Sequence, residues 1–549
     1  MSPSAVTLHA VSHAWPDGSP SLVEVSGTFP EGRTGLIGRN GAGKSTLLKL
    51  IAGDLAPASG VIDVAGDVAT LPQTLTLHGG TTIAELLGIA PTLAGLRAIE
   101  AGDVDVRHFD AVGDDWDIES RADEALGRIG FSARDLDRRV AEVSGGESML
   151  IAITGLRLRR AAVTLLDEPT NNLDRATRAR LGEFIVDWPG TVIVVSHDLE
   201  LLERMEHTAE LYDGALTTFG GPYSAWREHR DHEQAAAVQA ARAAQQVLQT
   251  EKRQRVETET KLARRERTAR KVQLSGSLPK ILAGKRANAA QVSAGALRGT
   301  MDGKVDSAQA AVDAADARVR DDRHISLVLP DPELAKGRRV IEFVSGERSF
   351  VVQGPERVAL IGANGSGKST LLARLLRGDD TPSDDDAQGG RPTARLLTER
   401  VGYLPQRLDA LDDRVSALEN VRTVAPGVPA GTIRNGLARL LLRGSSADRP
   451  VSTLSGGERF RASLARLLFA DPPAQLLVLD EPTNNLDLES VEHLAEALDA
   501  YRGALLVVSH DVAFLSRISV DTVLELEAGE LRRLGELPGG DRAGAQAAG

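Results

Sequence analysis

Two lysines, each placed after a run of glycines, are the residues in this chain best suited to hold phosphate. Gly38-Arg39-Asn40-Gly41-Ala42-Gly43-Lys44-Ser45-Thr46 returns as Gly362-Ala363-Asn364-Gly365-Ser366-Gly367-Lys368-Ser369-Thr370. An apolar run precedes each copy and a helix-forming run follows it, which is the strand–loop–helix setting a phosphate loop needs. The glycines let backbone N–H groups turn toward phosphate oxygens, and the helix start adds positive potential. Lys44 and Lys368 are expected to reach the terminal phosphates, and Ser45 and Ser369 to ligate Mg²⁺.

Carboxylates follow in the same order in both halves. An apolar strand runs into Asp167-Glu168, and again into Asp480-Glu481. The aspartates are placed to hold Mg²⁺ and the glutamates to orient or deprotonate a water. About thirty residues on, His197 and His510 end two further apolar runs, positioned to touch a terminal phosphate. Gln73 and Gln406, each after a Leu-Pro, are read as loop residues able to close onto the metal or the attacking water. Ser144-Gly145-Gly146 and Ser455-Gly456-Gly457 offer a hydroxyl and free amides to an anion at a helix start. The signature serines recur 311 positions apart and the aspartates and histidines 313 apart, so the halves are duplicates in one order. Trp15 lies before an Asp17-Gly18 turn and is expected to stack on a base. The second half has Arg339 at the matching offset, with Phe343 as its nearest aromatic.

These residues must be positioned by large α/β units. With 549 residues the chain has room for about three to four domains. It has no cysteine, which removes disulfides and thiolate zinc sites. No basic-then-apolar leader is read at the N-terminus, and no apolar run approaches the ~18–20 residues of a membrane helix. A cytoplasmic location is therefore expected. The net charge of −13 argues against a surface that is basic throughout.

Taken together, the motifs resemble those of the ATP-binding-cassette ATPases over nearly the whole chain outside roughly residues 230–322. The Glu-Pro-Thr-Asn-Asn-Leu-Asp segment in both halves is similar to the ABC-F subfamily. The resemblance implies an α/β fold of two tandem cassettes joined by a long helical-hairpin linker. Residues 5–230 and 323–540 would be the cassettes, 231–322 the linker arm with a basic tip, and 541–549 a disordered tail. It also implies an ATP hydrolase using ATP and Mg²⁺. Each nucleotide would lie between one phosphate loop and the other half's signature, so that Ser455 serves the Lys44 site and Ser144 the Lys368 site. Ser148 stands where the second signature has Arg459.

The join between the halves is rich in Ala, Gln, Glu and Arg. Helices are read to about Ala269 and over Asp306–Asp322, with a tip around Lys280–Arg286. Ten basic residues and one acid, Glu266, lie between Lys261 and Thr300, and six of the chain's ten lysines fall in this linker. Lys271, Lys280, Lys285 and Arg286 are the candidate RNA contacts. The subfamily resemblance implies a ribosomal partner, with the arm near the tRNA exit and peptidyl-transferase regions. Antibiotic protection or regulation of translation would follow. The chain is expected to act as a monomer whose halves pair with each other. Two other functions fit an ATPase of this type: a subunit serving a separate permease, and a DNA-repair ATPase. The acidic run Asp379–Asp386 is read as a disordered insertion.

Overall fold

The computed structural model describes residues 4–71, 80–171, 173–274, 280–319, 329–378, 392–406, 410–442, 444–484 and 486–538. Gln73, the acidic run Asp379–Asp386 and the tail 541–549 lie outside the described residues. The chain forms two compact units. One contains Met1–Tyr223 and His324–Gly549, the other Ser224–Arg323.

In the first unit each half builds the same pair of sheets. The six-stranded sheet of the N-terminal half runs in the order Val68–Thr70, Val163–Asp167, Thr191–Val195, Arg33–Ile37, His207–Tyr212, Ala215–Gly220. Only the last pair is antiparallel. The C-terminal half repeats this with Val401–Leu404, Leu476–Asp480, Ala504–Val508, Arg357–Ile361, Thr522–Glu527 and Glu530–Leu534. A parallel sheet is covered on both faces, so its strands are apolar without alternation. Val163, Leu165, Ile193 and Val195 face one core, while Leu166, Val192 and Val194 face the other. Leu476, Val478 and Val508 are likewise divided from Leu477, Leu479 and Val507. Three-stranded antiparallel sheets, centred on Ser4–Ala14 and on Arg339–Ser345, lie beside them. The Asp17-Gly18 turn forms as expected, with Gly18 at φ 82°.

The halves differ in their helical lobes. Thr82 caps a short helix, Ile83–Leu86, and Ser416 caps its counterpart, Ala417–Val424, with the same reciprocal bond to a Glu three residues on. The N-terminal half then adds a helix pair, Ala90–Glu100 and Val106–Val112. Leu93, Leu96 and Val112 anchor this pair to the core.

The second unit contains two long helices, Tyr223–Leu274 and Lys280–Asp316. The second helix begins 26 residues before Asp306, so the stretch read as a tip is largely helical. Gly295, Gly299 and Gly303 obscured it in the sequence, because glycine weakens an isolated helix. Pairing with the first helix outweighs that penalty. Leu248 packs with Val305, Ala308 and Val312. Arg255 meets Asp302 at 2.9 Å and Arg298 meets Glu266 at 3.6 Å, which sets the helices antiparallel. Lys271 is exposed on the first helix, and Lys280, Lys285 and Arg286 lie in the first turns of the second.

Candidate active sites

The chemistry-bearing residues collect at the carboxyl ends of three adjacent strands, where open α/β sheets bind ligands. Asp167 pairs in register with Val195, and Leu36 also pairs with Val195. The loop after Ile37, the Asp167-Glu168 turn and Ser196-His197 therefore share one edge. The equivalent pairings, Asp480 with Val508 and Leu360 with Val508, build the second edge.

Each phosphate loop is held so that only glycine fits at its entry. Gly38 has φ 152°, and an added Cβ would lie 2.5 Å from the Leu211 carbonyl oxygen. Gly362 has φ 148°, and an added Cβ there would press on the Leu526 carbonyl oxygen. The loops curl around their own lysines. Lys44 Nζ donates to the carbonyls of Gly38 at 2.6 Å and Arg39 at 3.1 Å. Lys368 Nζ donates to Gly362 at 2.6 Å and Ala363 at 2.9 Å. Burial pushes both amines below their usual range, opposed by Glu168 and Glu481. Helices Lys44–Ala52 and Lys368–Arg377 start on these loops without a side-chain cap, and a helix start carries positive potential that suits an anion.

The glutamates sit on a strained backbone. Glu168 has φ 49° and Glu481 φ 45°, the left-handed region that side chains rarely occupy. Such strain persists only where the surroundings over-determine it. Here the Glu168 amide donates to the Val195 carbonyl and the Glu481 amide to the Val508 carbonyl, both at 2.8 Å. The turn aims each carboxylate at a histidine. His197 Nε2 is 3.0 Å from Glu168 Oε1. His510 Nε2 is 3.3 Å from Glu481 Oε1, close but off the line of a hydrogen bond. Burial pushes the Glu168 carboxyl up and His197 down. In the second site burial takes Glu481 up to about 7 and His510 down to about 4.

Asp480 hydrogen-bonds Ser369, while its Oδ1 is buried without a hydrogen-bond partner. A hydroxyl beside a carboxylate with a spare buried oxygen suits a hard oxygen-binding cation such as Mg²⁺. Gln406 lines the same 270 Å³ cavity as Lys368, Ser369, Glu481 and His510.

The signature serines cap helices. Ser144 Oγ accepts from the Glu147 amide at 3.2 Å, and Glu147 accepts back from the Ser144 amide at 2.7 Å. Ser455 and Glu458 repeat this at 3.3 and 3.0 Å. Gly145, Gly146, Gly456 and Gly457 form the first turns. The Ser148/Arg459 difference is local: Ser148 bonds back to the Ser144 carbonyl, and Arg459 pairs with Asp413 at 2.7 Å.

Trp15 is 40% exposed and makes an edge contact with His13 at 5.1 Å. Across the turn, Ser21 bonds Thr46 at 3.0 Å, so this hairpin lies beside the phosphate loop. Phe343 is fully buried in the core and presents no face to a base.

Sequence reasoning left two aspartates without a role. The Asn40 amide donates to Asp487 Oδ2 of the opposite half at 2.6 Å. The Asn364 amide donates to Asp174 Oδ2 at 3.3 Å. Both aspartates also cap their own helices, at Ser490 and Thr177, and capping is all their sequence context indicates. These contacts set each phosphate loop against the other half.

The family model described as "ABC transporter" matches residues 22–171 and 347–484. The tylosin resistance ATP-binding protein TlrC of Streptomyces fradiae is 32% identical, over 96% of this chain and 98% of its own length. The energy-dependent translational throttle protein EttA of Haemophilus influenzae is 29% identical, over 93% and 90%. ABC transporter F family member 2 of Arabidopsis thaliana is 30% identical, over 96% and 77%. Among solved structures, RNase-L Inhibitor matches with a TM-score of 0.54 at 18% identity, over 96% of this chain and 90% of that one. That likeness establishes the fold. No helix among the described residues is long and apolar enough to cross a membrane.

Proposed function

We propose, for a chain that belongs to the ATP-binding-cassette ATPases and among them to the ABC-F type, that two ATP molecules clamp the cassettes together and that closure drives ribosome binding. The observation that carries this reading is the pair of cross-cassette contacts, Asn40 to Asp487 and Asn364 to Asp174. They bring each phosphate loop to the opposite cassette, as two shared nucleotide sites require.

ATP hydrolysis follows from the residues at each site. On nucleotide binding Lys44 and Lys368 exchange loop carbonyls for phosphate oxygens, and the amides of Gly41–Thr46 and Gly365–Thr370 surround the phosphates. Trp15 stacks on the adenine of the first site. Glu168 and Glu481 take a proton from the attacking water, and a carboxylate with a raised pKa is the stronger base. His197 and His510 hold those carboxylates in line and touch the terminal phosphate. Ser144 and Ser455 close the sites from the opposite cassettes. Mg²⁺, when bound, neutralises phosphate charge; Ser45, Asp167 and Gln73 would hold it in one site, and Ser369, Asp480 and Gln406 in the other.

The ribosome is the partner that the relatives favour, one named as a translational throttle and another as a tylosin resistance protein. The latter matches this chain almost end to end, which favours protection against an antibiotic over a purely regulatory role. Lys271, Lys280, Lys285 and Arg286 supply phosphate contacts from the arm to ribosomal or transfer RNA in the cytoplasm. The test is a double substitution, Glu168→Gln with Glu481→Gln, followed by ATP and sedimentation with ribosomes. The expected result is a trapped complex at the large subunit. Protein left at the top of the gradient overturns the ribosomal reading, and drug-resistance measurements on expression separate protection from regulation.

A further inference from the structure

The two seams are built from unlike residues. At the Lys44 site, Arg39 of the phosphate loop grips Glu489 of the opposite cassette with two parallel hydrogen bonds. Nε donates to Oε2, and Nη2 donates to Oε1 at 2.9 Å. Glu489 stands two residues beyond Asp487, which already accepts from Asn40 at 2.6 Å. Arg461 of the signature helix lies within electrostatic reach of both carboxylates, so two cations and two anions gather at this seam.

The other seam keeps the aspartate, as Asp174, but replaces the three other charges. Ala363 occupies the position of Arg39, Ala176 that of Glu489, and Leu150 that of Arg461. Asn364 approaches Asp174 only to 3.3 Å. Ala363 and Ala176 line a cavity of 420 Å³ there, bounded on another side by Leu537 and Pro538. A bidentate Arg–carboxylate pair adds geometric specificity as well as energy. A seam with Ala facing Ala has neither.

We propose that Arg39 and Glu489 are positioning residues that clasp the Lys44 seam, so that the Lys368 seam opens first and exchanges nucleotide. This rests on the reading of two shared ATP sites given above. Its consequence is a division of labour: one nucleotide holds the cassettes together while the other turns over.

Release of a fluorescent ATP analogue tests it in the full-length Glu168→Gln, Glu481→Gln protein. Two analogues should bind per chain and leave in a slow and a fast phase of equal amplitude when chased with excess ATP. Glu489→Ala should accelerate the slow phase about two- to fivefold and leave the fast one unchanged, as expected for a partly exposed ion pair. Arg39→Ala should do the same, with no further gain in the double substitution. The charge exchange Arg39→Glu with Glu489→Arg should restore slow release, which a misfolded protein could not do. Installing the pair at the other seam, Ala363→Arg with Ala176→Glu, should slow the fast phase. Raising salt should act on the slow phase alone. Two bound analogues with a slow phase indifferent to Glu489→Ala overturn the clasp. Fewer than two bound analogues overturn the shared-site reading and the clasp with it. Ribosomes are absent throughout, so the result is independent of that part of the proposed function.

Discussion

The two catalytic sites are nearly identical inside and different at their edges. Lys44 and Lys368 make the same carbonyl bonds, Glu168 and Glu481 share a left-handed backbone, and each glutamate faces a histidine. The surroundings diverge. Trp15 stands exposed beside one phosphate loop, whereas the aromatic nearest that offset in the second half, Phe343, is buried. Arg178 shows the same divergence in the other direction. It is held by the Leu173 carbonyl at 3.0 Å, lines the Lys368 cavity and opposes the upward shift of Glu481. Its counterpart in the second half is Val491. Duplication preserved the residues proposed to touch phosphate and left those around them free to change.

The sharpest test of equality is to disable one site at a time. Glu168→Gln or Glu481→Gln should each remove that site's hydrolysis by about 10²–10⁴-fold, read as steady-state ATPase activity. Equal sites lose half the total rate in either variant. A larger loss from Glu481→Gln would identify the Lys368 site as the one that turns over. The aromatic contrast comes next. Phe343→Ala empties a fully buried position and should cost about 3–5 kcal/mol, measured by thermal or denaturant unfolding.

The glycine entries should respond alike. Gly38→Ala and Gly362→Ala each force a Cβ against a backbone carbonyl at positive φ. A cost of about 1–3 kcal/mol in nucleotide affinity is expected, measured by titration calorimetry. A Gly362→Ala variant with undiminished affinity would show that the second loop is not held as the first is. The smallest effect is expected at Trp15. Trp15→Ala should weaken ATP binding at one site by about 2–10-fold, the range of an aromatic stacking contact, with stability nearly unchanged. A change in unfolding midpoint without a change in affinity would reduce Trp15 to a packing residue.

Much of this was legible in the sequence because phosphate chemistry constrains type and spacing together. A loop that must wrap phosphate needs glycine at fixed offsets. A strand buried on both faces needs an apolar run, and the run must end where its polar residues begin. Asp167, Glu168 and His197 were readable for that reason, and so were their repeats. The arm was harder. Gly295, Gly299 and Gly303 lower local helix propensity, and only packing of Val305, Ala308 and Val312 against Leu248 restores the helix. Phe343 was ambiguous because an aromatic near a loop has the same letter whether it faces a ligand or a core.

The sequence by itself determined the order and spacing of the candidate residues: two glycine-rich loops each ending in a lysine, two Asp-Glu turns and two histidines. It did so because those demands are local and fall on neighbouring residues. Only the tertiary structure decided who faces whom. Arg39 and Glu489 are 450 positions apart, and Asp174 and Asp487 resemble ordinary helix caps until the opposite phosphate loop is seen against them. Contacts between distant segments depend on how two folded halves meet, and no spacing along a single chain encodes that.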